Sequence, residues 1–514
     1  MPLATGPAAM PLPHSRIVDM KRSICAGLAS TLLTLLVMGS PATAHAAEDR
    51  PGLKACRLKG LEHDAWCGVL RRPLDPAQPQ GTQIDLHFAV LPALARNRKP
   101  DPLLYFAGGP GQSAMDLAGS VNRVMARLSN RRDIVLVDQR GTGRSAPLLC
   151  DEPAPNSPLA DGVDPSWQTA RLIACGRRLQ KLPHGDLRHY TTWVAMQDAD
   201  AVRQALGAAR VNIVGGSYGT RAALEYQRQF PHAVRRMVID GVAPPDMVLP
   251  ASYSSDSQAA LEAVIASCEA DGVCKQRHPA LRADWQALLA SLPREVSVAH
   301  PVTGAVERLI ITRSWLLGLV RAPLYVPALA SALPQAIAEA GRGRFEPLLG
   351  LASATGGGRS ARLAEGMHFS VVCAEDLPRL AQAGDRPGTD FGDSFATQYR
   401  QVCEHWPRGS VPAAFYTVPP ARAAALVLSG GADPVTPPRH GERVAKALGA
   451  KARHVVVPQA GHGVMAIGCM RDAVFRFIDA DSDEAALQVE ADCARQIPRP
   501  LPFAPALPVA EVAR

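Results

Sequence analysis

The chemistry in this sequence centres on a serine held between glycines. Residues 215–219 read G-G-S-Y-G and contain the pattern G-x-S-x-G around Ser217. The apolar run 211–214 before it predicts a strand, and the pattern over 221–230 predicts a helix. A tight turn between a strand and a helix would expose the hydroxyl and offer backbone N–H groups to a developing oxyanion. The motif therefore predicts that Ser217 is a nucleophile.

A serine nucleophile needs a base and an acid that orients the base, and the chain supplies both further on. Asp433 follows the predicted strand 425–428, and His462 lies just past the next predicted strand. Taken alone, each has the features of an ordinary turn residue. Their order after consecutive strands favours a Ser-His-Asp triad. Asp240 and Asp376 compete for the role of the acid, but neither lies on the strand just before the histidine.

A glycine-rich turn follows another predicted strand, Leu103–Phe106. Residues 108–111 read G-G-P-G, and a helix is expected from Gln112 onward. Glycine lets a backbone N–H approach a substrate oxygen, so we predict an oxyanion hole made by the N–H groups of Gly109 and Tyr218. The alternative is a phosphate-binding loop, but the turn has neither the lysine of a P-loop nor the spacing G-x-G-x-x-G.

The order of strands and helices predicts the fold class. Short apolar strands alternate with helical patterns over 47–246 and again over 421–514. This alternation predicts an α/β fold with a mostly parallel sheet and helices on both faces. Between these parts, 247–420 is dominated by helical patterns and is too long for a loop. We predict that it is a mainly helical cap inserted into the α/β core.

The first 46 residues have the pattern of an export signal with a short leader in front of it. Lys21 and Arg22 precede the apolar stretch 24–38, and small residues follow up to Ala46. A membrane anchor is the alternative, but the stretch is shorter than the roughly 20 residues that a span needs. We therefore expect cleavage after Ala46, no stable membrane insertion afterwards, and a periplasmic or secreted protein.

The composition excludes several other classes of protein. Of the 514 residues, 47% are hydrophobic and 20% are charged, which is typical of a globular protein with a large core. The formal net charge is +8, but the basic clusters, such as Arg131 and Arg132, are short and have no interleaved aromatic residues. We therefore expect no nucleic-acid partner.

The cysteines indicate an oxidising compartment. The chain has 11 cysteines, and one of them, Cys25, lies in the predicted signal. The remaining even number suggests up to five disulfides in an exported protein. Zinc is the rival explanation, but no C-x₂-C or H-E-x-x-H pattern occurs. The cysteines fall into local couples, and we hypothesise the sequential pairs Cys56–Cys67, Cys150–Cys175, Cys268–Cys274, Cys373–Cys403 and Cys469–Cys493.

Six short motifs follow one another along the chain: GGPG at 108–111, DQRGTGRS at 138–145, YTT at 190–192, GGSYGT at 215–220, GGADPVTP at 430–437 and GHG at 461–463. In this order they resemble the prolyl-aminopeptidase and tripeptidyl-aminopeptidase group of α/β-hydrolases. The cysteine-bearing form is more similar to the secreted tripeptidyl branch. Ala107 stands where many prolyl aminopeptidases carry a histidine, which weakens a strictly prolyl assignment. We expect the DQRGTGRS segment to brace the loops around the site.

The resemblance implies an α/β-hydrolase fold and the release of residues or short peptides from a free peptide N-terminus. Acidic groups are then needed to bind the substrate ammonium. Residues 372–376 read VCAED and resemble a motif of the secreted branch, so Glu375 and Asp376 are the candidates. The reaction implies no metal and no organic cofactor. The oligomeric state is left open.

Two other functions stay open at this point. The same triad serves a carboxylesterase that acts on small esters, and an all-apolar cap lining would favour that reaction. A protein on the same fold that only binds its ligand is the more remote alternative. Such a protein would typically have lost a member of the triad, and none is missing from the sequence.

Overall fold

The structure is a computed structural model that describes residues 52–154, 156–356 and 363–503. The predicted leader and export signal, residues 1–46, lie outside the described residues. Within these three ranges, no helix is both long enough and apolar enough to cross a membrane.

A large mixed sheet organises the described part of the chain. The strands are β1 (Lys54–Cys56), β2 (Ala65–Pro73), β3 (Gln83–Leu91), β4 (Leu103–Phe106), β5 (Ile134–Val137), β6 (Val211–Gly216), β7 (Val234–Asp240), β8 (Arg294–Ala299), β9 (Val306–Ile311), β10 (Ala425–Gly430) and β11 (Ala452–Val457). The sheet has the order β1-β2-β3-β5-β4-β6-β7-β10-β11, and β8 and β9 pair separately as a hairpin. The six strands from β5 to β11 in this order are parallel, whereas β1, β2 and β3 pair antiparallel. The prediction of a mostly parallel sheet is confirmed.

Helices connect most of the parallel strands. They are α1 (Ala118–Val124), α2 (Ala126–Ser129), α3 (Leu159–Val163), α4 (Pro165–Leu179), α5 (Thr192–Ala205), α6 (Tyr218–Gln229), α7 (Ala251–Ala270), α8 (Gly272–Arg277), α9 (Leu281–Ala290), α10 (Arg313–Leu324), α11 (Pro327–Ala330), α12 (Leu333–Gly341), α13 (Glu346–Gly356), α14 (Glu365–Glu375), α15 (Ser394–Glu404), α16 (Pro438–Leu448), α17 (Met470–Asp479) and α18 (Asp483–Leu487). Short 3₁₀ helices cover Leu187–His189, Leu377–Gln382, Ala413–Tyr416, Gly449–Lys451 and Asp492–Gln496.

Both faces of the sheet are covered. Successive side chains of a strand point to opposite faces, so β6 sends Ile213 and Val214 into two different apolar cores. Ile213 belongs to a core shared with Met196 of α5, and Val214 belongs to a core shared with Phe477 of α17. The central strands are therefore buried on both sides, which explains their continuous apolar sequence.

A long segment interrupts the sheet between β7 and β10. These two strands are hydrogen-bonded neighbours, although α7 to α15 and the β8–β9 hairpin lie between them in sequence. The segment has an apolar core of its own around Trp285. The hairpin was not predicted, because its strands are only six residues long and lie among helical patterns. We keep 247–420 as the proposed limits of the cap.

The expectation of a helix from Gln112 was wrong. Gly109 and Gly111 have φ values of 111° and 112°, which residues with side chains rarely adopt. The chain continues through turns after this point, and α1 begins only at Ala118. The glycine-rich segment is therefore an extended turn rather than the cap of a helix.

The hypothesis of sequential disulfide pairing is confirmed. The structure joins Cys56–Cys67, Cys150–Cys175, Cys268–Cys274, Cys373–Cys403 and Cys469–Cys493. Each bond therefore closes a local loop.

Replacing Cys469 and Cys493 by alanine should lower the free energy of unfolding more than replacing Cys268 and Cys274. The first bond spans 24 residues and the second spans 6. Because a longer loop removes more entropy from the unfolded chain, we expect losses of about 3.5 and about 2 kcal/mol. Denaturant unfolding of the two double variants beside the wild type measures both losses. A larger loss for the shorter loop would contradict this account.

Candidate active site

The backbone turns sharply at Ser217, between β6 and α6. Ser217 has φ 55° and ψ −126°, a conformation that costs a residue with a side chain roughly 1–3 kcal/mol. The flanking glycines make room for this turn. A Cβ on Gly215 would lie 2.3 Å from the carbonyl oxygen of Gly219, and one on Gly219 would lie 2.1 Å from that of Phe106. The N–H of Ser217 donates to the carbonyl oxygen of Asp240 at 2.9 Å.

His462 and Asp433 form a hydrogen-bonded pair. Nδ1 of His462 lies 2.8 Å from Oδ2 of Asp433. The other carboxylate oxygen accepts the N–H groups of Val435 and Thr436, both at 2.9 Å. The hydroxyl of Thr436 also donates to Oδ2 at 2.7 Å. Because the ionised carboxylate only accepts hydrogen bonds, Nδ1 carries the proton and Nε2 is the basic nitrogen of the neutral ring.

Burial and charge act in opposite directions on this pair. Burial alone would raise the pKa of Asp433, but the charge of His462 and the hydrogen bonds hold that pKa below its ordinary value. Burial alone would lower the pKa of His462, but the Asp433 carboxylate holds it above its ordinary value. The arrangement therefore combines an ionised carboxylate with an imidazole that is more basic than usual.

Ser217 and His462 line the same cavity, which has a volume of about 530 Å³. The glycine-rich turn forms another part of its wall through Gly108 and Gly109. A Cβ on Gly108 would lie 3.2 Å from Cβ of Ser217, so the turn lies directly beside the serine. Tyr218 is the first residue of α6, where a helix provides no acceptor for the N–H. The structure thus brings the predicted nucleophile, base and oxyanion donors together.

Side chains from two directions hold the glycine-rich turn in place. Asp138 of the DQRGTGRS segment accepts a hydrogen bond from the hydroxyl of Ser113 at 2.7 Å. From α14, Nδ1 of His368 lies 3.2 Å from the carbonyl oxygen of Pro110. Nε2 of His368 lies 2.8 Å from the hydroxyl of Tyr399 on α15. Through Ser113, Asp138 supports the glycine-rich turn, as the sequence predicted for the DQRGTGRS segment.

Comparison with known proteins gives the family. A model described as alpha/beta hydrolase fold matches residues 101–262, and a model described as TAP-like protein matches residues 388–486. Carboxylesterase B of Mycobacterium tuberculosis is 31% identical over 444 residues, which cover 75% of this chain and 78% of that protein. The chain belongs to the α/β-hydrolase family. The predicted resemblance and fold class are confirmed.

Two further relatives of this α/β-hydrolase carry the names of peptidases. Tripeptidyl aminopeptidase of Streptomyces lividans is 34% identical over 194 residues, which are 35% of either chain. Serine protease Hip1 of Mycobacterium tuberculosis is 34% identical over 192 residues, which are 35% of this chain and 36% of that protein. The matches therefore span about a third of the length of each of these relatives.

Glu375 and Asp376, the predicted substrate-binding residues, do not belong to the wall of the cavity that Ser217 and His462 line. Both side chains are at most 1% exposed and pair with Arg221 of α6, at 3.5 Å and 3.0 Å respectively. Glu375 also accepts the N–H of Thr192 at 2.6 Å, and the Thr192 hydroxyl lies 2.6 Å from that of Tyr218. The two carboxylates join α14 to the helix that carries Tyr218, and contact with a substrate ammonium would require the Arg221 pair to open.

Asp240 contributes to the site in a way that the sequence reasoning missed. It ends β7, lines the cavity, and accepts the N–H groups of Val464 and Met465 at 2.8 to 2.9 Å. Because these residues follow His462 closely, Asp240 holds the loop that carries the histidine. Burial raises the pKa of Asp240 to about 6, against the backbone hydrogen bonds that favour the carboxylate. Its position at the end of a predicted strand was the available signal.

Tyr325 was also missed, and nothing in the sequence marks it. It lies just after α10, in the segment between β7 and β10, and lines the cavity. Its carbonyl oxygen accepts the N–H of His462 at 3.0 Å, and its ring lies edge-on to the imidazole with 5.2 Å between centroids. The histidine is therefore held from the inserted segment as well as from the α/β core.

Replacing Asp240 by asparagine should change how the stability of this hydrolase depends on pH. The folded protein holds the Asp240 proton up to about pH 6, whereas the unfolded chain releases it near the ordinary value of 3.8. The folded state therefore binds more protons in this window, and wild-type stability falls there as pH rises. Relative to D240N, we expect a fall on the order of 2 kcal/mol between pH 4 and 6.

Urea unfolding at several pH values measures this difference. The exposed Asp481 offers a matched control, because D481N removes a carboxyl that is not buried. Parallel stability curves for the wild type and D240N would contradict the role given to burial at Asp240.

Proposed function

We propose that this protein is a serine hydrolase with a Ser217–His462–Asp433 triad, and that it releases residues or short peptides from free peptide N-termini. The observation that carries the proposal is the 2.8 Å contact between His462 and Asp433 at a cavity that His462 shares with Ser217. The names of the two peptidase relatives support the choice of substrate.

The mechanism follows from these positions. Oγ of Ser217 attacks the carbonyl carbon of the scissile bond while Nε2 of His462 takes the hydroxyl proton. The N–H groups of Gly109 and Tyr218 donate to the oxyanion of the tetrahedral intermediate. His462 then gives the proton to the leaving amine as the C–N bond breaks, and the acyl group stays on Ser217.

Water completes the reaction. Its oxygen attacks the acyl-enzyme ester while His462 takes a proton from it, and His462 returns that proton to Oγ of Ser217 as the acid product leaves. Throughout, Asp433 keeps the imidazole in one orientation and stabilises the imidazolium. No step uses a metal or an organic cofactor.

Export of the enzyme to the periplasm or the medium is part of the proposal. The predicted signal at residues 1–46 supports it, and so do five disulfides, which are typical of proteins in oxidising compartments. The segment 247–420 would act as a cap over the active site, and the contact of Tyr325 with His462 supports this role. A cap restricts access to short peptides or chain ends.

A carboxylesterase that acts on small esters is the second candidate. One observation favours it: Glu375 and Asp376, the acids expected to bind a substrate ammonium, are already paired with Arg221. The relative named Carboxylesterase B points the same way. A protein that only binds its ligand is the remote alternative, and the intact triad argues against it.

Replacing Ser217 by alanine should abolish turnover. We expect wild-type cleavage of aminoacyl or tripeptidyl p-nitroanilides with a free N-terminus, and a loss of at least about a thousandfold in kcat/KM for S217A. Ser120 lines the same cavity, so S120A is a matched control that should keep the wild-type rate. Equal turnover by S217A would overturn the triad. Turnover of short-chain esters without cleavage of any free-amine peptide would overturn the peptidase assignment and leave the esterase.

The pH dependence of kcat/KM should reflect the ionisation of His462 beside Asp433. Only the neutral imidazole can take the Ser217 proton, so kcat/KM should fall as pH falls through the His462 pKa, which the Asp433 carboxylate raises above its ordinary value. In D433N the carboxylate no longer raises that pKa, so the midpoint should move to lower pH and kcat should drop by about 10⁴-fold. Rates from pH 4 to 9 measure both effects. An unmoved midpoint in D433N would exclude Asp433 as the partner of the base.

A further inference from the structure

Arg321 of α10 is a cation without an acidic partner. Its Nε lies 3.2 Å from Oγ of Ser257, and its Nη2 lies 2.9 Å from the hydroxyl of Tyr325. Within the described ranges these neutral oxygens are its hydrogen-bond acceptors, and no carboxylate forms an ion pair with it. Nη1 has no acceptor among those residues and is not fully buried. One edge of the guanidinium is therefore available to a ligand.

Three aromatic rings surround this guanidinium. Its carbon lies 4.6 Å from the ring centroid of Tyr253, 5.3 Å from that of Tyr325 and 5.5 Å from that of Phe395. The rings attract the cation and also exclude water from its faces. A charge withdrawn from water without a counter-ion is costly, so an arriving anion would offset that cost.

Tyr325 connects Arg321 to the active site. Its hydroxyl accepts the hydrogen bond from Arg321, while its ring contacts the imidazole of His462 and lines the cavity of Ser217. The positive charge of Arg321 reaches His462, where it opposes the upward shift of the imidazole pKa. Arg321 is not part of the cavity wall itself, but it contacts Tyr325, which is, and it therefore lies on the His462 side of the site.

We propose that Arg321 binds a carboxylate in the leaving part of the substrate. This inference rests on the proposed peptidase function. Because His462 gives its proton to the leaving amine, groups on the His462 side face the part of the substrate that leaves. The planar guanidinium fork matches a carboxylate, and in a short peptide the C-terminal carboxylate lies close to the scissile bond. The enzyme would then prefer short peptides with a free C-terminus.

Matched pairs of substrates test this selectivity. Alanine peptides of two to five residues are prepared as the free acid and as the C-terminal amide, and mass spectrometry identifies the bond cleaved. A third set carries aspartate in the leaving part and ends in an amide, which separates a side-chain carboxylate from a C-terminal one. The readout is the ratio of kcat/KM between the carboxylate-bearing peptide and its uncharged counterpart.

For the wild type we expect a ratio on the order of tenfold or more at one or more lengths, as a charge-assisted hydrogen bond would give. In R321M the ratio should fall to about one, and in R321K it should be intermediate because the fork is lost. Arg313 lies on the same helix and donates to the backbone carbonyls of Thr389 and Asp390, so R313M should keep the wild-type ratio.

The outcomes separate the two proposals. Cleavage of acids and amides at equal rates by the wild type, or an unchanged ratio in R321M, overturns the role of Arg321 and leaves the peptidase function standing. If the wild type cleaves no free-amine peptide at all, the role of Arg321 and the peptidase function are both overturned. A purely structural role for Arg321 would lower both rates in R321M together, so the ratio would stay at the wild-type value. Because the wild-type ratio alone can refute the proposal, the test does not depend on the folding of R321M.

Discussion

The strained turn at Ser217 is the constraint on which the rest of the active site depends. A residue with a side chain keeps a φ of 55° only where its neighbours fix the backbone. Around Ser217 they do so from several sides. Asp240 accepts the Ser217 N–H, and the N–H of Thr220 donates to the Ser217 carbonyl oxygen. The close approach of Gly219 to Phe106 also brings the end of β4 against this turn. Ser217 and the glycine-rich turn after β4 are therefore parts of one packed arrangement.

Asp240 links this turn to the histidine loop. Its backbone carbonyl accepts the N–H of Ser217, and its carboxyl accepts the N–H groups of Val464 and Met465. One residue at the end of β7 thus holds both Ser217 and the His462 loop of the proposed triad, the first through its main chain and the second through its side chain. Asp433 and Tyr325 contact His462 from two other directions. The imidazole consequently has little freedom to leave the position that proton transfer requires.

The parts of the site that could be predicted are those with a local signal. Ser217, Asp433 and His462 each follow a short apolar strand in a motif of a few residues, and parallel strands bring such motifs to one edge. The burial of Glu375 and Asp376 against Arg221 has no local signal in the sequence. The segment VCAED does not show whether its acids contact solvent, substrate or a buried guanidinium. Tyr325 meets His462 only through packing between distant segments. The β8–β9 hairpin likewise depends on pairing between short, half-exposed strands.

The backbone contact between Tyr325 and His462 bears on how far the segment between β7 and β10 can change. The segment between β7 and β10 does more than cover the site, because its carbonyl group satisfies the N–H of the histidine itself. His368 of the same segment similarly contacts the carbonyl oxygen of Pro110 beside the serine. A replacement segment from a relative would therefore have to place a carbonyl group and a histidine side chain at the same two positions. Single side-chain replacements elsewhere in the segment leave both contacts in place, whereas exchange of the whole segment puts both at risk.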